Sequence, residues 1–124
     1  MGPKMKKTVL VSEDDRHIAS LLQDIIERKG YSVVLARDGQ QAYEEFKRHK
    51  YDLVITDLDM PKLDGISLVK LVRETDKEVP IVIITGYGSE KNRALAKSYG
   101  VEKFLAKPCT VKDIFEAVES TIVE

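Results

Sequence analysis

Five short aliphatic and β-branched runs, at residues 8–11, 33–36, 53–56, 81–85 and 104–106, alternate along the chain with five stretches of helical period. That alternation predicts right-handed βαβ units, and therefore a parallel sheet. In the first helical stretch Ile18, Leu21, Leu22, Ile25 and Ile26 fall at i, i+3, i+4, i+7 and i+8 and should face the core, with Asp14 or Asp15 as cap and Gly30 as stop. The second spans about residues 40–48 with Ala42, Tyr43 and Phe46 inward, and the third about 66–74 through Leu68, Val69, Leu71 and Val72. The fourth, about 90–99, has the thinnest apolar stripe, Ala94, Leu95 and Ala96, and should be the least firmly packed. Thr110 with Asp113 gives the fifth a capping-box start, and Val111, Ile114, Phe115, Val118 and Ile122 should be its buried face. Asp64-Gly65 is expected to be a turn. The third and fourth strands are apolar up to a closing threonine, which calls for helices on both faces of the sheet. The fold predicted is α/β, a three-layer αβα sandwich with a five-stranded parallel sheet and five helices.

Size and composition narrow the function classes. At 124 residues there is room for one core, so residues 6–124 are expected to form a single domain and residues 1–5 a flexible leader. A formal net charge of −1 supplies no basic field for nucleic acid or an anionic membrane, and neither is expected as a direct partner. No apolar run nears the roughly 18 residues of a membrane span, and the first residues lack the apolar region of a signal peptide, so a cytoplasmic location is the expectation. Cys109 stands alone, and with two histidines it cannot build a structural zinc site.

The polar residues that carry chemistry cluster at strand ends. In open α/β sheets ligands bind beyond the carboxyl ends of the strands. Here the first strand runs into Glu13-Asp14-Asp15, the third into Asp57, the fourth into Thr85-Gly86 and the fifth into Lys107-Pro108. If those four strands lie side by side, the groups share one rim. Two like charges about 4 Å apart repel by about 4 kcal/mol at an effective dielectric near 20, so gathered acids require a cation. An all-oxygen donor set selects Mg²⁺ or Mn²⁺ over zinc. With Lys107 as fixed charge and Thr85 as hydroxyl donor, the set suits phosphoryl transfer to an aspartate.

Taken singly, each feature has a structural explanation: helix-start acids, a Lys-Pro turn, a β-favouring threonine. Their coincidence at four strand ends favours chemistry. An EF-hand loop starting at Asp57 fails on spacing, because Pro61, Lys62 and Leu68 stand where an oxygen ligand, glycine and glutamate are needed. A small phosphatase of haloacid-dehalogenase type is the alternative function, because Asp57-Leu58-Asp59 after an apolar strand resembles its Asp-x-Asp start. Those enzymes open their sheet with that motif, whereas Glu13-Asp14 comes first here.

Val9-Leu10-Val11-Ser12-Glu13-Asp14-Asp15, the stretch from Asp52 through Thr56-Asp57-Leu58-Asp59-Met60-Pro61 to Asp64-Gly65, Ile83-Ile84-Thr85-Gly86 and Lys107-Pro108 together resemble response-regulator receiver domains of two-component signalling. The resemblance covers residues 6–124 in order. It implies a flavodoxin-like sheet order of 2-1-3-4-5, with Asp57 as phosphoacceptor for a sensor histidine kinase or phosphotransfer protein. It further implies that Asp14 holds Mg²⁺ directly, Glu13 through water, and that Asp57 and the backbone carbonyl of Asp59 are further ligands. Thr85 and Lys107 would bind the phosphoryl group, and Thr85 and Phe104 would form a switch. That switch would alter the face made by the fourth helix, fifth strand and fifth helix for a downstream output protein or fused output domain. The implied role is that of a signalling phosphoacceptor and not of a turnover enzyme. Ser12 departs from the apolar residue usual before the acidic pair, and Asp59 and Tyr87 flank the path by which water would approach.

Overall fold

Strands and helices alternate strictly, in the order β1 (Thr8–Ser12), α1 (Arg16–Arg28), β2 (Ser32–Ala36), α2 (Gly39–Arg48), β3 (Leu53–Thr56), α3 (Gly65–Thr75), β4 (Ile81–Thr85), α4 (Glu90–Ser98), β5 (Lys103–Ala106) and α5 (Val111–Thr121). This computed structural model describes residues 6–86 and 88–122, so the expected leader 1–5 and Tyr87 lie outside the described residues. All strand pairs are parallel and the order is β2-β1-β3-β4-β5, as the resemblance implied.

Alternate strand residues feed two separate cores. Leu10, Val54, Ile81 and Ile83 pack beneath α2, α3 and α4 with Phe46, Leu68, Val72 and Ala96. Val9, Val11, Leu53, Ile55, Val82 and Ile84 pack on the other face with Leu22, Ile25 and Ile26 of α1 and Ile114 and Val118 of α5. Period-two alternation thus explains why strands with apolar residues on both faces need helices on both sides. Each fully buried aliphatic side chain contributes about 1.5–3 kcal/mol. Asp15, Asp38, Asp64, Ser89 and Thr110 cap the five helices through side-chain oxygens that accept backbone N–H groups, and Thr110 with Asp113 forms the expected capping box. Gly30 ends α1 in the left-handed region, at φ 92°.

Several sequence expectations need correction. Leu21 is 53% exposed and Val111 47% exposed. Leu21 stands about 100° around the helix from Leu22, off the buried face centred on Leu22 and Ile26. Val111 opens α5 in its first turn. Asp64-Gly65 is a helix start instead of a free turn: Asp64 Oδ1 accepts from Ser67 N at 2.8 Å, and Gly65 is the first residue of α3. The thin packing expected of α4 is found, since Ala96 is its single buried residue while Leu95 is 37% exposed.

Register sets the height of each strand end. Ser12 pairs with Thr56, so Glu13 and Asp57 leave β1 and β3 side by side. Thr56 pairs with Ile83 and Thr85 with Ala106, which carries Thr85 and then Lys107 slightly beyond that level. The four strand ends therefore form one continuous rim.

Candidate functional site

At the rim, carboxylate oxygens of Glu13, Asp14 and Asp57 all lie within 4.8 Å of one another. Glu13 and Asp57 are buried and Asp14 is exposed, so the group is open to solvent on one side only. Lys107 Nζ bridges the two buried acids, donating to Glu13 Oε1 at 2.7 Å and to Asp57 Oδ2 at 2.8 Å. Asp57 Oδ1 accepts from Leu58 N at 2.6 Å and from Asp59 N at 3.3 Å. The buried Thr85 side chain hydrogen-bonds the same carboxylate. Glu13 Oε2 accepts from Asp15 N at 3.2 Å.

These contacts divide the two buried acids electrostatically. Burial pushes the Asp57 carboxyl up, but the bonds from Lys107 and Thr85 and the Lys107 charge outweigh it and hold the group below its usual range. For Glu13 burial wins against Lys107 and the Asp15 N–H, and its carboxyl is raised. Burial also disfavours the Lys107 charge, yet the two acids outweigh that and raise its pKa. At Asp57, then, Lys107 and Thr85 favour the carboxylate more than burial disfavours it, whereas at Glu13 burial prevails.

The donor chemistry fits a hard divalent cation: three carboxylates, with no histidine or thiolate among them. The Asp59 side chain is exposed and outside that acidic group, while its amide turns back toward Asp57. Phe104 is half-buried on β5, with the Arg93 guanidinium 4.4 Å from its ring centroid. A β-carbon at Gly88 would stand 2.7 Å from the Phe104 ring, whereas one at Gly86 would meet nothing within 4 Å. The space after Thr85 is therefore open. A groove of ≈ 520 Å³ lies between Lys91, Asn92 and Leu95 of α4 and Leu58, Asp59 and Ile66.

The segment after Asp57 is fixed by close backbone approach. A β-carbon at Gly65 would lie 2.1 Å from the Asp57 carbonyl oxygen, and Gly65 N donates to Leu58 O at 2.9 Å. Gly65→Ala should destabilise the protein by about 1–3 kcal/mol, measured by urea unfolding. A loss within about 0.5 kcal/mol would contradict this close approach.

The sequence did not single out Thr56, Met60 or Arg93. Met60 and Thr56 lie behind the acids, and Arg93 reaches Phe104 from another element, so no local spacing reveals them.

Comparison with known proteins agrees with this geometry. The family of response regulator receiver domains matches residues 9–119. The chain is 33% identical over 118 residues to the alkaline phosphatase synthesis transcriptional regulatory protein PhoP of Bacillus subtilis (strain 168), covering 95% of this chain and 49% of that protein. A CheY-like receiver domain protein from Methanospirillum hungatei JF-1 superimposes with a TM-score of 0.91 at 22% identity, covering 94% of this chain and 93% of that one. CheY of Borrelia burgdorferi, in a CheX-CheY-BeF3-Mg²⁺ complex, does so with a TM-score of 0.89 at 28% identity, covering 95% and 90%. The chain belongs to the receiver-domain family of two-component response regulators. It spans about half the length of the curated relatives it matches. The haloacid-dehalogenase-type alternative finds no support in these likenesses. Among the described residues no helix is long and apolar enough to cross a membrane.

Proposed function

We propose that Asp57 accepts a phosphoryl group from the phosphohistidine of a sensor histidine kinase or phosphotransfer protein. An Asp57 oxygen attacks phosphorus, the phosphorus–nitrogen bond breaks, and the imidazole leaves. The observation that carries this reading is the meeting of Glu13, Asp14, Asp57, Thr85 and Lys107 at one rim, with Asp57 held as the carboxylate. Glu13, Asp14, Asp57 and the Asp59 carbonyl would hold Mg²⁺ or Mn²⁺, which when bound offsets the charge of the phosphoryl oxygens. Lys107 binds one of those oxygens and the Thr85 hydroxyl turns to another. Catalysis is limited to phosphotransfer and hydrolysis of the domain's own aspartyl phosphate.

Movement of Thr85 would be read out through Phe104 and the α4-β5-α5 face. Support comes from the thin seat of α4, the groove under Lys91, Asn92 and Leu95, and the half-buried Phe104. The partner on that face would be an output protein or a fused output domain; PhoP, of which this chain spans 49%, is a transcriptional regulator. The net charge of −1, with no basic field, favours a cytoplasmic phosphorelay without direct nucleic-acid or membrane contact by this domain.

Metal binding offers the first test. At tenfold excess over its dissociation constant, Mg²⁺ should stabilise the fold by about 1.4 kcal/mol and raise the melting temperature. A melting temperature unchanged from zero to millimolar Mg²⁺ would remove the metal from the proposal.

A further inference from the structure

Behind the acidic rim lie two buried hydroxyls and a buried thioether, each next in sequence to a residue of the site: Ser12 before Glu13, Thr56 before Asp57 and Met60 after Asp59. Ser12 and Thr56 are each 1% exposed and Met60 8%. The Ser12 hydroxyl donates to Met60 Sδ at 3.0 Å. The Thr56 hydroxyl lies 3.9 Å from the same sulfur while donating to the Asp57 carbonyl at 2.8 Å. Ser12 and Thr56 are register partners, and Asp57 N donates to Ser12 O at 3.1 Å. One sulfur therefore joins the end of β1, the end of β3 and the loop that follows Asp57.

A thioether is a weak acceptor. At this depth, however, no water competes for the Ser12 hydroxyl, and a buried donor left unpaired is costly. Asp59 itself is exposed, and its amide makes only the long 3.3 Å bond to Asp57. Three residues later Lys62 adopts φ 68°, in the left-handed region, so the loop does not follow a regular element that would fix it. The Asp59 backbone thus takes its place from its neighbours: the Asp57 carboxylate on one side and the fastened Met60 on the other.

We propose that Ser12 is a positioning residue for the Asp57 site: its hydroxyl, through the Met60 thioether, sets the Asp59–Met60 backbone relative to Glu13 and Asp57. The inference rests on the phosphoacceptor function proposed above, because that function requires the Asp59 carbonyl to face the shared cation. A valine at position 12 removes the donor and adds one methyl group, which Ser12→Thr adds while keeping the donor, and Leu at position 60 fills the methionine's space without the acceptor.

The experiment is a double-variant cycle of Ser12→Val and Met60→Leu, read by calorimetric titration with Mg²⁺ and by amide exchange at Asp59 in the metal-free protein. Each single variant should weaken Mg²⁺ binding about tenfold, the double variant should be no weaker than the poorer single one, and Ser12→Thr should keep wild-type affinity. Amide exchange at Asp59 should speed up in both single variants. Wild-type affinity in both, or losses that multiply in the double variant, would overturn the proposal. Should Ser12→Val fail to fold, Met60→Leu, a volume-conserving swap, decides it alone. If the wild-type protein bound no Mg²⁺, the phosphoacceptor function would fall instead, and the exchange rates would still decide whether Ser12 positions the loop.

Discussion

Replacing Asp57 by alanine is expected to abolish phosphoryl uptake from acetyl phosphate and Mg²⁺, which in the wild-type protein should level off at about one group per chain. Asp57 is the acid on which the other contacts converge: Lys107 at 2.8 Å, the Leu58 amide at 2.6 Å and the Thr85 side chain. Glu13 shares Lys107, but burial raises its pKa and weakens it as an anionic nucleophile below its folded value. Asp14 is exposed, and among the described residues no hydrogen-bond donor orients its carboxylate as Lys107 and the Leu58 amide orient that of Asp57. Any residual transfer should therefore be at least about a hundredfold slower, the scale on which removing one preorganised group costs an enzyme. Asp57→Asn, which keeps an acceptor for the Leu58 amide, should lose uptake equally while staying folded. Intact-mass measurement would show both outcomes; uptake near one group per chain in either variant would contradict the assignment.

Lys107→Met should cost about 2–3 kcal/mol of stability in metal-free buffer at neutral pH. Removing one partner of a fully buried ion pair costs about 3–5 kcal/mol. The figure is lower here because the Lys107 side chain keeps 21% of its exposure, against 3% for Glu13 and 8% for Asp57. Without the lysine, three carboxylates face one another with no fixed cation. The loss should shrink as pH falls. In the wild-type protein Asp57 has a depressed pKa, so its contribution is present above the unfolded value and is lost as pH drops through the lower folded one. In the variant both buried acids are pushed upward, and protonation relieves the crowding. Urea unfolding at pH 7 and pH 4 measures this difference, and Mg²⁺ should stabilise the variant more than the wild type. An equal loss at both pH values would show that Lys107 acts through packing and not through charge.

The fold was legible because its signals are local and repeated. Residues 53–55 and 81–84 are apolar on both faces, as a parallel strand covered on both sides requires, and Thr110 with Asp113 marks the α5 start within four residues. Leu21 misled because helical spacing defines a stripe wider than the contact with the sheet. Asp64-Gly65 misled because the dipeptide marks both turns and helix starts. Only the approach of Gly65 to the Asp57 carbonyl, across the loop between them, separates the two.

The candidate site was legible as a list of residues and not as a set of contacts. Acids, a threonine and a lysine at successive strand ends must meet once strand order is known. Which acid Lys107 takes is a matter of reach across three strands, and it takes both. The same holds for Ser12, whose polarity was visible but whose partner, Met60, is 48 residues away in the chain. Arg93 over Phe104 likewise depends on how α4 lies on β5, which no periodicity encodes.

Trapping the phosphorylated residue tests the central claim most directly. After incubation with acetyl phosphate and Mg²⁺, borohydride reduction converts an aspartyl phosphate to homoserine, which peptide mass mapping can place. Homoserine at position 57, present with Mg²⁺ and missing with chelator, is the predicted result. Reduction at Glu13, Asp14 or Asp59 instead, or phosphate carried on a hydroxyl, would contradict it.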